Sequence, residues 1–129
     1  MDIELENNDL KSMVRSKGAE LLLLQEIKDG NAYLWNVDPS WREFCSPILF
    51  PIVGKVKNGK YKVYGNVYEL PQYGLGRINE FELANKTTDT VSFKLRYSDE
   101  TLKVYTYKFE LTVSYVLTSR SVNVTWRYW

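Results

Sequence analysis

Apolar and polar residues alternate along most of this chain. Val91, Phe93, Leu95 and Tyr97 are interleaved with Ser92, Lys94 and Arg96; Phe109, Leu111, Val113, Tyr115 and Leu117 repeat the pattern, as do Val122, Val124, Trp126 and Tyr128. Successive strand side chains point to opposite faces, so a period of two predicts half-buried strands rather than helices. Residue pairs that tolerate positive φ fall where hairpins need them: Asp29-Gly30 between 21–27 and 32–35, Asn58-Gly59 between 55–57 and 60–64, and Gly65-Asn66 before 67–70. Weaker turn signals lie at Asn7-Asn8, Thr87 to Asp89, Ser98 to Thr101 and Ser119-Arg120. The expectation is one all-β domain over residues 1–129, an antiparallel sandwich or barrel of about ten short strands.

One stretch escapes the alternation, NVDPSWREFCSPILFPIVGK at 36–55. Pro39 can start a short helical turn, while Pro47 and Pro51 bracket an extended Ile48-Leu49-Phe50, because proline disfavours helix in the residue before it. A connection this long and apolar inside a compact domain marks a binding loop or a cover packed over a site. Trp35, just before it, and Trp41, within it, are the candidate aromatic residues of a pocket. A second loop, ELPQYGLGRINEFEL at 69–83, carries Gly74 and Gly76 between Tyr73 and Arg77. It lacks the third glycine and following helix of a dinucleotide fingerprint, so nucleotide binding is not expected.

Composition narrows the chemistry. The chain has no histidine and one cysteine, Cys45, which removes His-dependent triads and dyads, His-ligated zinc and any internal disulfide. Neither a metal nor a cofactor is implied, and Cys45 reads as a structural thiol. With 17 basic and 16 acidic side chains the net charge is +1, so no field draws it to nucleic acid or to anionic lipid. The acidic opening Asp2, Glu4, Glu6 and Asp9 reads as the solvated side of an edge strand. The longest early apolar run, Leu21–Leu24, is too short for a signal core or a membrane span, so the cytosol is the expected compartment.

Three segments together resemble the aldose 1-epimerase, or galactose mutarotase, family, especially its shorter bacterial members. The first is Gly18-Ala19-Glu20-Leu21, followed by Tyr33-Leu34-Trp35 and Asp38-Pro39. Next comes Ser46-Pro47-Ile48-Leu49-Phe50-Pro51-Ile52-Val53-Gly54, similar to the family's A-P-[IV]-L-F-P-x-V-G-R. The last is Leu70-Pro71-Gln72-Tyr73-Gly74-Leu75-Gly76-Arg77 with Glu80-Phe81, similar to L-P-x-H-G-F-A-R followed by x-x-E-F. The resemblance runs through all 129 residues but spans about the N-terminal half of a usual family member. It implies an antiparallel sandwich related to half of the mutarotase supersandwich, with residues 36–55 and 70–81 as one wall of a sugar pocket.

Carried over by position, Lys55 stands where the V-G-R arginine faces the sugar, Tyr73 replaces a pocket histidine, and Arg77 retains the loop's arginine. Both replacements have chemical weight. Mutarotation needs a general acid and a general base acting together, whereas a tyrosine of pKa about 10 keeps its proton at neutral pH. Lysine loses the planar fork with which arginine grips two oxygens. The family's second histidine, in a G-G-H-P-like segment, and its glutamate base lie beyond the span of the resemblance, so no catalytic residue is assigned here. Glu80 is expected to be a structural ion-pair partner of Arg77.

Two function classes follow. One is an epimerase-like aldose-binding protein that is inactive as an isolated chain; the other is a non-catalytic β-module for protein contact. The strand pattern still runs at Val124–Trp129, and half a large sandwich exposes apolar sheet faces. Self-association through that surface, as a two-fold dimer, is the expected assembly.

Overall fold

A computed structural model of the chain describes residues 1–32, 47–52, 54, 57–71 and 74–128. Among these residues nine strands form antiparallel sheets, as the alternation predicts. β1 (Asp2–Glu6), β2 (Leu10–Arg15) and β3 (Glu20–Glu26) make one sheet in that order. β4 (Lys60–Val63) and β5 (Asn66–Glu69) form a two-stranded ribbon. β6 (Glu82–Lys86), β7 (Thr90–Arg96), β8 (Glu110–Thr118) and β9 (Ser121–Tyr128) make a four-stranded sheet in sequence order.

The core lies where the period of two puts it. Val91, Phe93 and Leu95 on β7 pair with Tyr115, Val113 and Leu111 on β8, and all six are buried. Ile3, Leu5, Leu10, Val14 and Leu21 bring the apolar face of the first sheet into the same cluster. Asp2, Glu4 and Glu6 alternate outward along β1, an edge strand, as the acidic opening implies. No helix among the described residues is long and apolar enough to cross a membrane.

Local differences from the sequence reading have identifiable causes. The ribbon turn is Tyr64-Gly65, both at positive φ, while Asn66 already pairs with Val63; the turn sits one residue earlier than the Gly65-Asn66 signal. Asn58-Gly59 does adopt positive φ and precedes β4. The weak turn signal at Ser98 to Thr101 opens a six-residue helix, α1 (Asp99–Val104). There the Ser98 hydroxyl accepts from the Thr101 amide and the Thr101 hydroxyl from the Ser98 amide, a reciprocal cap that satisfies two otherwise open donors. Asp99 and Glu100 in the first turn and Lys103 in the last oppose the helix dipole favourably.

Two buried polar contacts brace the fold, the first within the β1–β3 sheet and the second between β8 and the turn before β3. Glu20, with its side chain 1% exposed, pairs with Arg15 at 2.6 Å. The hydroxyl of Tyr115 on β8 donates to the carbonyl of Ala19 at 2.7 Å, fixing the turn before β3. Burial first, and the charge of Glu20 second, push the Tyr115 phenol above its ordinary value. The unfolded chain loses that proton near pH 10 while the folded chain keeps it. Stability is therefore fully present below about pH 10 and declines above it, by about 1.4 kcal/mol per pH unit for this group. Urea unfolding between about pH 9 and 11 is expected to show Tyr115→Phe with a shallower decline, and with about 1 kcal/mol less stability at neutral pH from the lost hydrogen bond. An unchanged alkaline slope would contradict this.

Candidate functional site

The two loops singled out by the sequence meet. The carbonyl of Phe50 accepts hydrogen bonds from the amides of Leu75 at 2.7 Å and Gly76 at 2.9 Å, and Phe50 and Gly74 form a parallel bridge. The approach needs glycine: Gly74 has φ +76°, and a Cβ there would sit 2.1 Å from the Phe50 carbonyl oxygen. Gly76 begins a 3-10 turn, Gly76–Ile78, that presents Arg77.

The N-terminal segment closes on the other side of the same loop. Gly18 donates from its amide to the Asn79 carbonyl at 2.7 Å, and Phe81 donates to the Ser16 carbonyl at 3.0 Å. A Cβ on Gly18, which has φ +73°, would lie 2.7 Å from the Arg77 carbonyl oxygen. Asn79 bonds through its side-chain amide to the Leu75 carbonyl at 2.7 Å, bracing the 3-10 turn from within. Glu80, expected beside Arg77, accepts a hydrogen bond from the hydroxyl of Ser16. The described residues of the segments at 18–21, 47–54 and 70–81, far apart in sequence, thus meet at one loop, with the part-buried Arg77 on it. The other sugar-facing candidates, Lys55, Tyr73, Trp35 and Trp41, lie outside the described residues, as do Cys45 and Pro39.

An aromatic cluster adjoins this loop. The Phe50 ring lies 5.1 Å from Phe109, 6.0 Å from Tyr105 and 5.8 Å from Tyr128, all between centroids. The hydroxyls of Tyr105 and Tyr128 are 3.3 Å apart. Burial, then the hydrogen bond with Tyr128, push the Tyr105 phenol upward, so it holds its proton at neutral pH. In the sequence, Phe109 and Tyr128 read as ordinary strand residues of the alternating pattern. The one available signal was Tyr105 and Tyr107 at alternate positions just before β8.

Three clefts appear elsewhere among the described residues. One of about 180 Å³ lies between the 3-10 turn and α1, lined by the apolar Pro71, Leu75 and Val104 and by the polar Asn79, Glu100 and Thr101. One of about 340 Å³ lies beside Tyr97 and Lys108, and one of about 500 Å³ beside Asn7, Asp9 and Asp89. Arg77, the one described residue of the sugar-facing set, lines none of the three.

Known proteins share this fold. A family profile described as aldose 1-epimerase matches residues 1–128. Protein LacX of Lactococcus lactis subsp. lactis, in its plasmid form, is 35% identical over 130 residues, covering 95% of this chain and 42% of LacX. The galactose mutarotase related enzyme of Lactobacillus acidophilus superimposes with a TM-score of 0.94 at 35% identity, over 98% of this chain and 42% of that one. A galactose mutarotase-like protein of Lactobacillus casei gives 0.93 at 31% identity, over 98% and 43%. The chain thus spans less than half the length of the relatives it matches.

Proposed function

Because the chain belongs to the aldose 1-epimerase family, we propose that it forms one wall of an aldose-binding site and does not interconvert anomers by itself. Arg77, Tyr73 and Lys55 donate hydrogen bonds to sugar hydroxyls, and Trp35 and Trp41 pack against the apolar face of the ring. The single observation that carries this reading is the packing of the three motif segments around the Gly74–Arg77 loop through the Phe50 carbonyl and the Gly18 amide.

Catalysis fails on proton chemistry. Opening a pyranose requires a proton delivered to the ring oxygen while another leaves the anomeric hydroxyl. Tyr73 can donate a hydrogen bond to either oxygen, but a phenol of pKa about 10 does not act as a base at neutral pH. With no histidine anywhere in the chain, no side chain titrates near neutrality unless its pKa is strongly displaced. A single cysteine, without a disulfide partner in this chain, suits the cytosol as the working compartment.

Calorimetric titration with galactose is expected to give a Kd of about 1 mM, typical of a small polar ligand held by a few hydrogen bonds. Arg77→Ala is expected to remove the heat while the melting curve stays cooperative. Absence of heat from the unaltered chain up to tens of millimolar would overturn the reading. In polarimetry, fresh α-galactose is expected to relax at the rate of buffer alone; acceleration by the chain would show that it carries its own acid and base.

A further inference from the structure

The tip of the β4–β5 ribbon breaks the residue preference of its own turn. Tyr64 and Gly65 join Val63 to Asn66, with φ +49° and +81°. Positive φ at both positions is the pattern of a type I′ hairpin turn, which takes Asn-Gly or Asp-Gly by preference because a bulky side chain is strained there. The ribbon is entered through such a pair, Asn58-Gly59 at φ +57° and +70°. Tyrosine at the tip therefore costs conformational energy, and burial does not offset it, because Tyr64 is 99% exposed. Other exposed apolar side chains keep part of their surface covered, as Val124, Trp126 and Tyr128 on β9 do at 47%, 48% and 53% exposure. An aromatic ring held in water on a strained turn marks a contact made outside this chain.

Charge indicates what that contact is. Register aligns Lys60 with Glu69 and Lys62 with Val67, so these four share one face of the ribbon, while Tyr61 and Tyr68 share the other. On the inner face the two tyrosine rings stack 5.6 Å apart and the Tyr61 hydroxyl donates to the Val104 carbonyl, tying the ribbon to α1. The outer face is open. Lys60, Lys62 and Val67 are exposed, as is Lys57 beside the entry turn, and nothing lies within 4 Å of a Cβ placed on Gly59 or Gly65. Residues 57–69 carry three lysines against one carboxylate, Glu69, which stands 3.9 Å from Lys60. A net charge of +1 for the whole chain thus conceals a local positive excess at the ribbon.

The form of the tip selects among anionic partners. Single-stranded nucleic acid is held in a cationic groove over several ring platforms, whereas this tip is convex, offers one free ring and has the other two tyrosines of the ribbon stacked inward. A planar lipid surface suits it better. Tyrosine settles at the headgroup level with its hydroxyl toward water, Val67 adds apolar surface behind it, and lysines meet the anionic headgroups of a cytoplasmic leaflet.

We propose that the β4–β5 ribbon docks the chain on anionic lipid headgroups, with Tyr64 seated at the interface and Lys57, Lys60 and Lys62 against the phosphates. The docking does not rest on the sugar site proposed above.

The test sediments the 129-residue chain with vesicles of phosphatidylcholine and phosphatidylglycerol in equal parts, and with vesicles of phosphatidylcholine alone, at about 0.05 M salt, where screening is weak. Expected are binding to the mixed vesicles, none to the neutral ones, and release at about 0.5 M salt. Lys62→Glu is expected to lower the lipid affinity at least ten-fold, while Lys86→Glu, the same charge change on β6, lowers it less than about two-fold. Tyr64→Asn separates contact from architecture. It is expected to weaken lipid binding about five-fold and yet to raise the melting temperature, because asparagine suits the turn. The proposal is overturned if the mixed vesicles do not sediment the chain, if Lys62→Glu or Tyr64→Asn leaves the affinity unchanged, or if Tyr64→Asn lowers the melting temperature. It is equally overturned if a polythymidine oligonucleotide binds at the same salt, displaces the vesicles and loses its own affinity with Lys62→Glu, which would make the ribbon a nucleic-acid surface.

Discussion

Replacing Gly74 by alanine is expected to cost about 3 kcal/mol, combining the strain of a left-handed backbone at a non-glycine residue with overpacking against neighbouring backbone. The added methyl would lie 2.1 Å from the Phe50 carbonyl oxygen and 2.7 Å from the Pro51 nitrogen, atoms that move only if the whole loop moves. A domain of this size is expected to melt about 10 °C lower. Gly59→Ala provides the control: Gly59 also has positive φ, +70°, but nothing lies within 4 Å of its Cβ position. Only the backbone term applies there, about 1 kcal/mol. Equal melting shifts for the two variants would mean that the loop joint is not the tight contact described. Sugar affinity should fall with Gly74→Ala and not with Gly59→Ala, because only the first displaces the segment bearing Arg77.

Arg15→Ala is expected to be at least as damaging, about 3 to 5 kcal/mol, because it takes the close, part-buried Arg15 guanidinium away from a buried carboxylate. The Glu20 side chain is 1% exposed, and Arg15 meets it at 2.6 Å from a position 26% exposed. Burial decides the size of the effect. The pairs Lys11–Glu4 and Lys60–Glu69 are long, at 4.0 and 3.9 Å, and solvated on both sides, so Lys60→Ala should change stability by less than about 0.5 kcal/mol. Urea unfolding of the two variants in parallel measures the contrast. A loss below about 1 kcal/mol for Arg15→Ala would show that the pair is better hydrated than its geometry implies.

Much of this architecture was legible in the sequence because sheet proteins write their burial in a period of two. The rows Val91-Phe93-Leu95 and Leu111-Val113-Tyr115-Leu117 name the core residues directly, and the acidic alternation of β1 names an edge. Short-range features were less legible. Helix α1 spans six residues, too few for a helical period to emerge, and its one signal, Ser98 three residues before Thr101, also fits a turn. Tyr64 at φ 49° reads as a strand residue by propensity, and tertiary context placed it in the turn instead. The alternation of Val124, Trp126 and Tyr128 likewise predicts a buried row, since periodicity reports which face is apolar and not whether anything covers it.

The candidate site was legible through motif order rather than physics alone. Nothing in the spacing of Gly18, Phe50 and Gly74 announces that they meet, because the contacts depend on backbone carbonyls that carry no residue signature. Resemblance supplied the grouping, and the hydrogen bonds of Phe50 and Gly18 supply its physical basis. On the proposed reading, Tyr73 in place of a histidine and Lys55 in place of an arginine each exchange a proton carrier or a forked donor for a simpler hydrogen-bond donor. That is the profile of a binding wall more than of a catalyst.

Backbone amide chemical shifts recorded while galactose is added test the central claim most directly. The account predicts saturable shifts at Leu75, Gly76 and Arg77, with smaller ones at Ile48 and Phe50, which hold that loop from beneath. Shifts confined to the polar cleft of Asn7, Asp9 and Asp89, or no shifts at saturating sugar, would contradict it.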